Sequence, residues 1–122
     1  MGTTYKRPGE TIDLTASGSD ITVNSVVVVG NQLAVAAVDI ADGETGEGHA
    51  CGVHLLPKTS GAGAIAKGSA PVWDASAEEF VPEGTALAAG DVSGAVTAWA
   101  AAADGDTTVL VKLNTGIGTV GS

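Results

Sequence analysis

Aromatic side chains are nearly absent from this chain: Tyr5, Trp73, Phe80 and Trp99 make up 3% of its 122 residues. Large rings supply much of the area that a small domain buries. Here Ala and Val must build the core among 18 glycines. Small residues bury little area each, and at about 25 cal/mol per Å2 a lone subunit gains only a modest core. Association between subunits adds burial, so the composition points to an assembling protein. Basic residues are scarce as well, 5 against 14 acidic, for a net charge of −9. Nucleic-acid backbones are held by clustered Lys and Arg, and the only basic pair is Lys6-Arg7. That balance argues against a nucleic-acid partner and a recombination role. An anionic membrane would be repelled by the same surface.

Cysteine is limited to Cys51, so no disulfide can form within the chain. Set in an apolar strand, it reads as a buried, inert thiol rather than a nucleophile. No run approaches the ~20 apolar residues of a membrane-spanning helix. The first residues lack the charged and apolar regions of a secretory signal. The expectation is a soluble protein made in the cytosol.

What the chain does contain is a succession of short apolar runs separated by turn residues. Residues 26–58 show it best. Val26-Val27-Val28-Val29 is β-branched throughout, a composition that suits a pleated surface. With no charge among them, these valines are predicted to fill a central strand, flanked by Asp20 and Asn24 as breakers. Gly30-Asn31 supplies a tight turn, and residues 33–40 read as the return strand. Residues 42–48 read as an acidic, turn-rich bridge to a further strand over residues 50–56.

The remainder follows the same rhythm. Residues 1–10 (MGTTYKRPGE) form an N-terminal arm, its Pro8-Gly9 pair marking a turn or stop. Tyr5, Lys6, Arg7 and Pro8 make it a candidate docking segment in an otherwise acidic chain. Residues 11–15 alternate as a half-buried strand. Residues 62–66 have room for one short helical turn, and residues 70–74 return to strand. Residues 94–103 are rich in alanine, yet flanking glycines together with Val96, Thr97 and Trp99 favour a strand. Asp104-Gly105 marks a hairpin turn, residues 107–113 form the last strand, and residues 115–122 form a C-terminal tail. Trp73 and Trp99 are the candidate core anchors. The count is seven to nine short antiparallel strands in one β domain, residues 11–114, built as a small sandwich or barrel.

No constellation for chemistry emerges. His49 and Cys51 share one strand face by parity while His54 points away, which leaves a metal site without its third and fourth ligands. The same parity separates Cys51 from His54 as a nucleophile pair. The carboxylates fall in or beside glycine-rich turns, where they solvate the turn. Residues 61–68 approach a phosphate loop but place Lys67 before the final glycine. The acidic turn at residues 39–44 lacks calcium-loop spacing. No cofactor, metal or small-molecule substrate is expected, and no enzymatic activity.

An ordered set of motifs resembles a known family. It begins at Tyr5-x-x-Pro8-Gly9-Glu10-Thr11-Ile12-Asp13-Leu14-Thr15 and continues through Val28-Val29-Gly30 and Asp39-Ile40-Ala41-Asp42-Gly43-Glu44. Gly52-Val53-His54-Leu55-Leu56-Pro57-Lys58, Val72-Trp73-Asp74 and Val109-Leu110-Val111-Lys112-Leu113-Asn114 follow in order. Pro71-Val72 stands where the family pattern has Val-Tyr before the Trp. In this the chain resembles the capsid cement, or head decoration, proteins of bacteriophages and prophages. The resemblance implies a β-rich homotrimer on three-fold positions of the expanded head. It would clamp neighbouring major capsid subunits on the outer surface of the virion, with the arm as a candidate capsid contact. Another virion structural role, in the tail or baseplate, is the alternative.

Overall fold

The computed structural model describes residues 10–121. Period-two patterning governs them, and among the described residues there is no helix. The strands of the first half are β1 (Thr11–Thr15), β2 (Val26–Val29), β3 (Gln32–Ala36), β4 (Thr45–His49) and β5 (Val53–Pro57). The second half supplies β6 (Val72–Asp74), β7 (Glu79–Val81), β8 (Val92–Ser93), β9 (Thr97–Ala98), β10 (Thr108–Lys112) and β11 (Thr119–Val120). They make three sheets, in the orders β1-β4-β3-β2, β5-β10-β9 and β11-β8-β6-β7. Every ladder between these strands is antiparallel, and an isolated parallel bridge joins Lys58 to Phe80. This is the small all-β domain that the spacing of short apolar runs predicts, with antiparallel sheets that include a half-barrel.

The valine run does form a strand, but at the edge of the first sheet rather than its centre. A two-residue loop, with Gly30 at φ 60°, folds β2 directly onto β3. The other side of β3 is taken by β4, which pairs with β1, so no strand among the described residues pairs with the far edge of β2. The central apolar strand is β3, and its two faces serve two cores. Leu33 and Val35 enter the main cluster, while Ala34 and Ala36 join Leu14, Ala16 and Ile40 in a smaller one. A continuous apolar run reports burial of side chains, not the number of neighbouring strands.

Strand β4 lies where the sequence suggested a turn. Its glycines alternate with Glu47, and both face the smaller core. A Cβ on Gly48 would stand 2.5 Å from Leu14 Cδ1, and one on Gly46 would stand 2.7 Å from Ile40 Cγ1. Glycine is present because Leu14 and Ile40 lie flat on the strand, not because the chain bends. The helical turn anticipated over residues 62–66 is likewise absent. Ile65 spends both backbone groups on a bridge with Ala102 at 2.9 Å each, leaving none for a helical bond.

The main core is centred on Trp73 and Phe80, cross-strand neighbours in β6 and β7. Their rings meet edge to face at 5.0 Å between centroids. Trp99 is not in that core. It follows β9 with its side chain 52% exposed, a correction to the sequence-based placement. Ala98, one residue earlier, holds the inward position instead, because parity on a strand lets only one of two neighbours point in. The C-terminal segment also departs from a simple tail. β11 pairs with β8, and Gly118 N–H donates to Asn31 C=O at 2.9 Å.

Candidate interaction surface

The residues singled out from the sequence fall in three places. Tyr5, Lys6, Arg7 and Pro8 lie outside the described residues. Trp73 is buried in the main core. Trp99 is on the surface, and what surrounds it is the most informative part of the exterior.

The second sheet presents one face to the core and the other to solvent. Inward positions are His54, Leu56, Val109, Val111 and Ala98; all but the half-buried His54 are buried. The outward positions form cross-strand rows fixed by register. Leu55 faces Leu110, and Trp99 N–H donates to Leu110 C=O at 2.8 Å, so Leu55, Leu110 and Trp99 span three strands in one apolar row. The next row is Val53, Lys112 and Thr97. Leu55 is 62% exposed and Val53 40%. Large apolar side chains that share an exposed face are the ones that mark an interaction site, whereas scattered single ones do not.

Cations complete this face. Lys112 Nζ stands 5.6 Å from the centre of the Trp99 ring, within cation–π range. Lys67 lines a shallow groove of about 380 Å3 with Gly68, Thr97, Ala98 and Trp99. Lys58, by contrast, is 1% exposed and donates its ammonium hydrogens to the carbonyls of Thr59 and Asp104 at 3.1 Å each. Among the described residues, Lys67 and Lys112 are thus the only exposed cations, and both border Trp99. Sequence reading missed them because each lysine stands alone in the chain. The face was nonetheless legible in part: Val53, Leu55 and Pro57 alternate with His54 and Leu56.

The other candidates make turns. Asp39 and Asp42 accept the N–H groups of Val23 and Gly18 at 2.8 Å, and Asp20 accepts that of Asp42 at 2.8 Å. Asp74 accepts from Ala77 N–H and from the Ser76 hydroxyl, which together hold its carboxyl below the ordinary value of 3.8. His54 does not point away from His49. β4 ends at His49, the chain turns through Ala50, Cys51 and Gly52, and β5 returns with the two rings 5.6 Å apart. His54 Nε2 lies 3.2 Å from Cys51 C=O. Cys51 is exposed in that turn, not buried in a strand. Among the described residues no group of three or more His, Cys, Asp or Glu could hold a metal. No helix among them is long and apolar enough to cross a membrane.

The exposed apolar row and its flanking lysines offer surface for binding. The model of a family described as phage cement protein matches residues 6–113. The chain belongs to the phage cement protein family. The match runs from the basic pair of the arm through the end of β10, and it includes Lys67, Trp99 and Lys112. No curated protein and no solved structure matches the chain. Membership makes this a structural phage cement protein and implies a place on the capsid of the virion.

Proposed function

We propose that the chain is a head decoration protein that binds the expanded capsid as a homotrimer at three-fold positions. There, on the outer surface of the virion, it clamps neighbouring major capsid subunits against the pressure of packaged DNA. The observation that carries this reading is the family match over residues 6–113. The fold supports it. The buried apolar residues include Ala16, Ala34, Ala36, Ala95, Ala98 and Ala102, side chains that contribute little area each. Contacts between subunits add the burial that such a core lacks, and a three-fold ring makes each weak capsid contact three times.

The arm is part of the same proposal. Tyr5, Lys6, Arg7 and Pro8 precede β1, and an extended segment of this kind adds a strand to an exposed sheet edge of a capsid subunit. Lys6 and Arg7 then meet capsid carboxylates. The protein is made in the host bacterial cytoplasm and joins the head after expansion.

Co-sedimentation with expanded, undecorated heads tests the reading, with purified DNA as the control. Saturable pelleting near three copies per three-fold site, by a protein of trimer mass in solution, is the expected result. Retention on DNA that falls with salt, without binding to heads, would overturn it.

A further inference from the structure

We infer that the outward face of the β5-β10-β9 sheet, centred on Trp99 and Leu55, is the surface that seats this protein on an acidic, apolar-centred patch of the capsid. The inference rests on the head-decoration reading and adds to it the contacting surface and the chemistry of its partner.

Two observations converge. The first is the apolar row itself: Leu55, Leu110 and Trp99 lie side by side across three strands, with Leu55 and Trp99 more than half exposed. An exposed tryptophan flanked by aliphatic side chains is the composition of an interface anchor. The second is charge. The chain carries −9, yet both exposed cations among the described residues border this one ring. A surface so acidic elsewhere is repelled by an acidic partner except where Lys67 and Lys112 face it, so charge orients the docking.

The pattern disfavours a two-fold contact between copies through this face. Such a contact is self-complementary and would lay the positive patch of Lys67 and Lys112 against the same positive patch of the second copy. An acidic capsid patch has no such conflict.

The test uses the full chain and undecorated expanded heads. Trp99→Ser and Leu55→Ser each remove an anchor from an exposed position, and a Lys67→Glu/Lys112→Glu double variant reverses the charge. Each variant is first checked for unchanged thermal unfolding and unchanged mass by analytical ultracentrifugation. The expected result is at least a ten-fold loss of head affinity in each single variant. The double variant should lose more, and raising salt should weaken wild-type binding. Wild-type binding with no loss in any variant overturns this inference while leaving decoration intact. A Trp99→Ser variant that falls apart into monomers overturns it too, by showing that the face joins copies of the chain. Failure of the wild-type chain itself to bind heads overturns the decoration reading, and this inference with it.

Discussion

Asn114 holds both backbone groups of Leu33: its Oδ1 accepts Leu33 N–H at 3.1 Å, and its Nδ2 donates to Leu33 C=O at 2.8 Å. The contact stands in for a missing strand. β4 pairs with β3 only at Val35 and Ala36, so Leu33 lies beyond its reach with its polar groups pointing toward an empty lane. The amide fills that lane and also donates to Ala50 C=O at 2.7 Å, tying the first sheet to the end of β10. Asn114 reaches this position with φ 53°, a left-handed conformation that asparagine tolerates better than most residues. Asn114→Ala leaves three backbone groups without their partner. It is expected to lower unfolding stability by about 2–4 kcal/mol, given 1–3 kcal/mol per orphaned group and partial rescue by water. Urea unfolding monitored by tryptophan fluorescence measures it.

Legibility in the sequence divides along these lines. Class, turn positions and most strands follow from period-two runs such as residues 11–15 and 107–113, where local pattern and burial agree. The misplacements have physical causes. Gly46 and Gly48 resemble turn residues because composition cannot show that Leu14 and Ile40 lie on them. Trp73 and Trp99 look alike as isolated tryptophans, and only register sends one inward and the other out. The valine run advertised burial but could not say that β3 would be flanked on its far side by β4. The interaction face was hardest of all, because Leu55, Leu110 and Trp99 are far apart in sequence and meet only through strand pairing.

Gly48→Ala is expected to destabilise the fold by about 1–3 kcal/mol, the usual cost of overpacking a filled core. The added methyl would sit 2.5 Å from Leu14 Cδ1, so either Leu14 or β4 must shift. Combining it with Leu14→Val, which withdraws the obstructing methyl, tests the cause. A positive coupling, in which the double variant is more stable than the two single losses predict, ties the cost to that contact. Simple additivity would place it elsewhere.

Acid sensitivity includes a contribution from Asp74. Hydrogen bonds from Ala77 N–H and the Ser76 hydroxyl favour its charged form, so its folded pKa lies below the unfolded value. The unfolded chain therefore binds this proton more readily. The resulting stabilisation is fully present above about pH 4 and fades as pH falls through the folded pKa. Asp74→Asn removes it at neutral pH. The urea midpoints of wild type and variant should be separated near neutral pH and draw together as the pH falls through the folded pKa of Asp74. A separation that stays constant with pH would assign the difference to geometry rather than to the proton.

The edge of β2, unpaired among the described residues, bears on self-association. Val29 and Gln32 flank a two-residue loop and so form a hydrogen-bonded pair, which directs the N–H and C=O of Val28 and Val26 outward. Edges of this kind, apolar and without a lysine or proline, template pairing with another chain. Val28 is 37% exposed, so a charged side chain fits there without entering the core. Val28→Lys is expected to leave the unfolding midpoint within about 0.5 kcal/mol of wild type, as surface substitutions do. On heating to partial unfolding it should delay the onset of light scattering, because the lysine must be desolvated before a second strand can pair. If the variant instead loses its oligomeric mass at room temperature, the β2 edge is a contact between subunits, and the valines are exposed in one copy because the next one covers them.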